Sequence, residues 1–332
     1  MKLFYNCNFF EEKRVNNKFS VYQEELVLDS FVRDKAKFKK IKVNYDCFWK
    51  KSIFFDISRP CILIPIRDNI GLLRFTLQNL KNFEIIDNYN VIVIDDRSKE
   101  KIQNLLEEKV SYLRIDNRKG FNFSMLNNIA AKICYDLDCK IIILWNSDLW
   151  CKDSKTLGTI LSKHNQHKAT VSGTKLIYPP QSMSLDGEVD TKNIKTFFKS
   201  KLNGFWRETV QFGGDIYITD SFHHYGRFKN PKDYRINCDR PATFITGAFQ
   251  VIDLEKFILL GGLNPSLSKN YQDNDFCFKT IEAGEKIYYF GKDSSFYHDE
   301  STTLIENKID KQFKSDQVLF KKIWNNKIKD LL

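Results

Sequence analysis

The residues best suited to chemistry are a few carboxylates and one histidine that stand where apolar runs end. The stretch "IIILWNSDLW" (141–150) drives four apolar residues and a tryptophan into Asn146-Ser147-Asp148. A carboxylate at such a strand end can hold Mg2+ or Mn2+ through oxygen, leaving other positions to water and a substrate diphosphate. The same residue types also suit a turn or a helix N-cap. Asp95 and Asp96 close the β-branched run "VIVIDD". Either can accept a hydrogen bond from a base N–H or a ribose hydroxyl, or cap a helix. Paired acids after a strand also mark phospho-acceptor receiver domains, but too much chain follows residue 150 for one compact domain of that kind.

Asp273 and Asp275 flank Asn274 ahead of a helical pattern. At a helix start, unpaired N–H groups and the dipole keep a carboxylate ionised, which suits a general base acting on a hydroxyl; capping is the plainer role. His298 is one of five histidines and follows Phe296 and Tyr297 at a strand end. Neutral imidazole ligates Mn2+-type ions beside carboxylates, although a lone histidine is more often structural. His223 and His224 fall in an irregular, aromatic segment suited to an acceptor, and His164 and His167 read as exposed helix residues.

These residues need elements to position them. "CILIPI" (61–66), "YNVIVIDDRS" (89–98), "SYLRI" (111–115) and "KIIILW" (140–145) read as strands. Helical spacing of Ile70, Leu73, Leu77 and Leu80, and of Leu126, Ile129, Ala130, Ile133 and Leu137, places helices between them; Lys99–Val110 also reads as a helix. The alternation predicts an α/β fold with a mainly parallel central sheet. Ligands bind beyond the carboxyl ends of such strands, so Arg67-Asp68, Asp95-Asp96 and Asn146-Ser147-Asp148 should share one rim. After the irregular stretch 175–243, "FITGAFQVI" is a strand, Asp253 caps "LEKFILL", Gly261-Gly262 stops that helix, and Gly284 ends the next. Phe313, Phe320, Trp324, Ile328 and Leu331 share one face of a basic C-terminal helix, which suits packing on the core more than a peripheral contact with an anionic membrane.

A net charge of +10 favours anionic partners. The lysines are scattered, and no basic stripe is interleaved with exposed aromatics, which argues against nucleic acid. The N-terminus lacks the apolar core of a signal peptide, and no run reaches the ~20 apolar residues of a membrane span. The eight cysteines form no CxxC pair and read as reduced core thiols. A soluble, cytoplasmic protein is the expectation.

Taken in order, "CILIPIRDNIGLLRFTLQNL", "VIVIDDRS", "NRKGFNFSMLNNIA", "IIILWNSDLW", "TGAFQVIDLEKFILLGGLNPSL", "NYQDNDFCFKTIEAGEKIYYF" and "FYHDES" resemble the family 2 glycosyltransferases, across roughly residues 60–301. The spaced aromatics of the tail are similar to the C-terminal helix of rhamnosyltransferase-like members. The resemblance implies a glycosyltransferase-A fold: an N-terminal extension (1–58), a catalytic domain (59–301) with a donor half (about 59–150) and an acceptor half (about 175–301), and a C-terminal amphipathic helix (302–332). It implies an inverting hexosyl- or deoxyhexosyltransferase of polysaccharide biosynthesis. Such an enzyme moves a sugar from a nucleotide-diphosphate donor to a hydroxyl of a glycan or lipid-linked acceptor, with Mn2+ or Mg2+. A binding relative that has lost turnover is the alternative.

By position, the resemblance assigns Pro65, Arg67, Asp95 and Asp96 to the base and ribose. Asn117, Gly120 and Phe121 fall to a turn approaching the nucleotide, and Gly247 and Ala248 to the donor sugar. Asp148 and His298 fall to the metal and Asp273 to the catalytic base. Two positions depart from the family pattern. Asn146 replaces the first acid of the Asp-x-Asp metal motif and remains able to bond ribose or a metal-bound water. Gln272 replaces the acid before the base, removing a like charge and so lowering the expected pKa of Asp273.

Overall fold

The computed structural model describes residues 10–11, 17–32, 35–118, 120–183, 206–218, 221–299, 311–324 and 327–328. Parts of the N-terminal extension, of the irregular stretch, of "FYHDES" and of the tail, including Leu331, lie outside these residues. In chain order the strands are β1 (Phe10–Glu11), β2 (Lys18–Val32), β3 (Lys35–Lys50), β4 (Cys61–Ile66), β5 (Asn90–Asp96), β6 (Val110–Ile115), β7 (Ile141–Trp145), β8 (Leu149–Trp150), β9 (Val171–Gly173), β10 (Lys175–Ile177), β11 (Val210–Phe212), β12 (Asp215–Ile218), β13 (Ser221–His224), β14 (Asp239–Pro241), β15 (Phe249–Asp253), β16 (Ile287–Phe290) and β17 (Ser295–His298).

The main sheet runs β1-β2-β3-β6-β5-β4-β7-β15-β9-β16-β14. Its centre, β6-β5-β4-β7, is parallel as the sequence predicts, and antiparallel pairs flank it on both sides. Strands β4 and β5 are buried at every position because helices cover both faces. Each fully buried Ile or Leu there contributes roughly 1.5–3 kcal/mol. Helices Ile70–Asn82 and Phe123–Asp136 follow β4 and β6, capped by the side chains of Asn69 and Asn122, which accept from Leu72 N and Met125 N. The expected cap by Asp253 is present, accepting from Lys256 N at 2.9 Å. A second sheet, β11-β10-β17-β8, builds the far side of the site.

Several expectations need correction. Lys99–Val110 holds only a short 3-10 turn, Ile102–Leu105, because the connection must return the length of the parallel strands β5 and β6; extended backbone covers that distance better than a helix rising about 1.5 Å per residue. The strand expected over 244–252 begins at Phe249, since the residues before it turn into the site. His164 is buried, with Nδ1 2.8 Å from Ser172 Oγ, and burial pushes its pKa down to about 4. Phe313 is 36% exposed at the first turn of the C-terminal helix, whereas Phe320, Trp324 and Ile328 are buried as expected. The seven described cysteines are free thiols.

Strands β2 and β3 pair as a long antiparallel ladder. Cys47–Lys50 of β3 pair with Tyr112–Ile115 of β6 and so extend the central sheet. Because β3 runs against β6, its earlier residues rise past the carboxyl end of β6, on the rim side, beside the C-terminal helix. Among the described residues no helix is long and apolar enough to cross a membrane.

Candidate active site

The carboxyl ends of β4, β5 and β7 and the turn before β15 meet at one rim, and most of the singled-out residues converge there. The turn Asn146-Ser147-Asp148 is stapled by the two tryptophans that bracket it. Trp145 Nε1 donates to Leu149 O across the turn at 2.9 Å. Trp150 Nε1 donates to Thr76 Oγ1 at 3.0 Å, and Thr76 Oγ1 donates to Ser147 O at 2.5 Å. Both indoles are fully buried, so the turn is fixed by hydrogen bonds made away from water.

Strand pairing then brings Asp148 to His298. His298 pairs with Leu149 and Tyr297 with Trp150 in the antiparallel β8–β17 ladder, and Asp299 N donates to Asp148 O at 3.0 Å. His298 Nε2 lies 3.3 Å from Asp148 Oδ1, both side chains about nine-tenths buried. That spacing suits two neighbouring ligands of one ion with bonds of about 2.0–2.2 Å. Among the described residues no group of three or more His, Cys, Asp or Glu side chains surrounds one point. A cation held by Asp148 and His298 would fill other positions of its shell with oxygen, as from water and phosphate.

At the carboxyl end of β5, Asp95 is fully buried and occupied. It accepts from Ser98 N (2.7 Å), Tyr112 OH (2.6 Å) and Arg114 (2.5 Å). Asp96, equally buried, meets Arg67 at 3.3 Å through Oδ2, while its Oδ1 accepts no hydrogen bond. Burial pushes the Asp96 pKa up to about 6, against the pull of Asn117 and Arg67. Asn117 is buried and donates to Gly120 O at 3.0 Å, shaping the turn that carries Phe121. Pro65 is buried in β4 opposite Ile94.

Asp273 opens the helix Gln272–Glu282 behind Tyr271, whose φ of 62° bends the chain into it. Its Oδ2 accepts from Gly247 N at 2.8 Å and its Oδ1 from Asn274 N at 2.9 Å. Ala248 O accepts from Asn146 N at 3.0 Å, so residues 247–248 join Asp273 to the 146–148 turn. Burial raises the Asp273 pKa despite these bonds, and the lowering expected from Gln272 is outweighed. Asp275 faces elsewhere, accepting from Trp324 Nε1 at 2.9 Å and pairing with Lys279 at 2.9 Å.

Sequence reasoning missed a polar layer behind Asp148, His298 and Asp273. Gln211 is buried, with Oε1 3.2 Å from His298 Nδ1 and Nε2 2.9 Å from His224 Nδ1. His224 Nε2 lies 4.0 Å from Asp215 Oδ1. Burial and the charge of Asp273 hold the Asp215 carboxyl well above its usual range. A glutamine and an aspartate in an irregular segment carry no pattern that would single them out.

The profile described as "Glycosyl transferase family 2" matches residues 61–226, half of the chain. An uncharacterized protein, y4gI of Sinorhizobium fredii, is 25% identical over 274 residues, covering 79% of this chain and 27% of the relative. The chain thus spans about a quarter of that relative's length. The crystal structure of GalNAc-T7 with UDP, GalNAc and Mn2+ superposes with a TM-score of 0.57 at 13% identity, over 82% of this chain and 49% of that one. The mannosyltransferase PcManGT from Pyrobaculum calidifontis, in complex with GDP-Man and Mn2+, gives 0.48 at 10% identity, over 83% and 73%. The GalNAc-T7 likeness is one of fold, the glycosyltransferase-A fold.

Proposed function

The chain belongs to glycosyl transferase family 2, and from that premise we propose that it transfers a sugar from a nucleoside-diphosphate donor to a hydroxyl of a glycan or lipid-linked acceptor, with inversion. The observation that carries the reading is the convergence of Asp273, Asp148 and His298 on one rim, joined through Gly247 and Ala248. GalNAc-T7 holds UDP and Mn2+ on this fold, which supports a nucleoside diphosphate and a divalent cation here.

The orphan Oδ1 of Asp96 is a buried acceptor that a base N–H or ribose hydroxyl would satisfy. Asp95 serves the same end by fixing Arg114, Tyr112 and the backbone at Ser98. Pro65 and Arg67 line the base, Asn117, Gly120 and Phe121 close over the nucleotide, and Asn146 faces the ribose. Asp148 and His298 would hold Mn2+ or Mg2+, which when bound offsets negative charge on the leaving diphosphate.

Asp273 takes the acceptor hydroxyl proton as that oxygen attacks the anomeric carbon. The new C–O bond forms while the bond to the diphosphate oxygen breaks, and the electron pair leaves with the nucleoside diphosphate. The raised pKa of Asp273 makes it a stronger base than a solvated aspartate, and Gly247 N–H holds it in place.

Asp273→Asn tests the assignment. Sugar transfer should drop at least ~10²–10⁴-fold with donor binding retained; near-wild-type transfer would overturn the role. Product stereochemistry read by proton NMR of the new linkage tests inversion.

A further inference from the structure

Behind the Asp148–His298 pair, the geometry points to a positioning residue: we propose that Gln211 locks the tautomer of His298 so that Nε2 presents its lone pair beside Asp148. The inference rests on the reading of Asp148 and His298 as metal ligands. Three observations carry it. First, Gln211 is the extra residue of a β-bulge: Leu176 pairs with Phe212 and the next residue, Ile177, pairs with Val210, so Gln211 has no opposite number in the ladder. Bulges next to sites re-aim a side chain, and this one turns Gln211 out of the regular alternation. Second, β10 carries β11 on one edge and β17 on the other, which brings the bulge within reach of the end of β17. Third, the buried amide spans two imidazoles, Oε1 3.2 Å from His298 Nδ1 and Nε2 2.9 Å from His224 Nδ1.

A carbonyl oxygen only accepts, so Oε1 requires the His298 proton on Nδ1. That leaves Nε2, 3.3 Å from Asp148 Oδ1, as the ring nitrogen able to ligate. The amide N–H in turn donates to His224 Nδ1 at 2.9 Å, a closer approach than the 3.2 Å from that nitrogen to Gln211 O, and Arg227 faces the same nitrogen at 3.4 Å as a second donor, which places the His224 proton on Nε2, facing Asp215. Turned over, the amide would donate to His298 Nδ1 and put the proton on Nε2, a nitrogen that cannot bind a cation. The partner of the ligand's second nitrogen thus decides whether the first is a ligand at all.

Long-range proton–nitrogen NMR on 15N-histidine-labelled protein reads the tautomer directly, without metal or turnover. The wild-type His298 should show a protonated Nδ1 and a pyridine-like Nε2; a protonated Nε2 would overturn the proposal. Calorimetric titration with Mn2+ in the presence of nucleoside diphosphate supplies the second readout. Gln211→Leu should weaken Mn2+ binding about 10–100-fold and lose the single tautomer. Gln211→Glu keeps an acceptor at Nδ1 and should keep both tautomer and affinity. Wild-type affinity and tautomer in Gln211→Leu would overturn the proposal, as would a protonated Nε2 in Gln211→Glu, which also serves if the leucine variant does not fold. Failure of the wild type itself to bind Mn2+ would instead sink the metal reading, while the NMR result would still judge Gln211.

Discussion

Asp96 and Asp273 are carboxylates pushed up in pKa by burial, and for Asp96 this has a consequence for pH. Asp96, held at about 6, accepts more strongly from a base or ribose when ionised, since a charge-assisted hydrogen bond is about twice as strong as a neutral one. Affinity for nucleoside diphosphate should therefore be full above about pH 7 and fall as pH drops through 6. Calorimetry from pH 5 to 8 checks this, and Asp96→Asn should flatten the profile while lowering affinity. Gly247 bears on Asp273 at the same scale. A Cβ there would stand 3.3 Å from Asp273 Cβ and 3.5 Å from its Oδ2. Contacts that close displace the carboxylate by tenths of an ångström, enough to misalign a proton transfer. Gly247→Ala is expected to cut kcat by about tenfold or more with donor KM little changed, measured by steady-state kinetics.

The turn and the C-terminal helix are the elements on which the site leans. Thr76 links helix Ile70–Asn82 to the turn by receiving from Trp150 and donating to Ser147 O. Thr76→Val keeps the volume, strands a buried indole N–H, and should cost about 1–3 kcal/mol in denaturant unfolding. The C-terminal helix (Lys311–Trp324) holds the chain just before Asp273: Asp316 Oδ2 accepts from Lys269 N at 3.0 Å and Asn270 N at 3.1 Å, and Phe320 stacks on Tyr271. Burial raises the Asp316 pKa from 3.8 to about 6, so the folded state binds the proton more tightly than the unfolded chain. The stability this contributes is fully present below about pH 4 and is lost as pH rises through 6. Asp316→Asn should remove a slope of up to about 1.4 kcal/mol per pH unit in that window, read from unfolding at pH 4 to 7. Phe320, Trp324 and Ile328 of the tail are thereby committed to the core, with Trp324 bonded to Asp275.

At the scale of the whole molecule, a net charge of +10 favours association with anions, the proposed nucleoside diphosphate among them. Raising ionic strength from about 0.05 to 0.5 M should slow association of nucleoside diphosphate several-fold and leave dissociation nearly unchanged, as stopped-flow would show. The sequence by itself determined the parallel centre of the sheet, because apolar runs such as 61–66 and 90–94 suit only strands covered on both faces. It also determined that Arg67, Asp96 and Asp148 lie toward one rim, since strand ends in such a sheet point one way. It placed His298 and Asp273 as candidates, by residue type at an element's edge. Only the tertiary structure decided what each one meets. The occupation of Asp95 by Tyr112 and Arg114, the tie from Trp150 through Thr76 to the turn, and the bulge that turns Gln211 onto His298 all join residues far apart in the chain. Local pattern reports which face of an element is buried. Which partner waits there depends on strand order and register, which the fold sets as a whole.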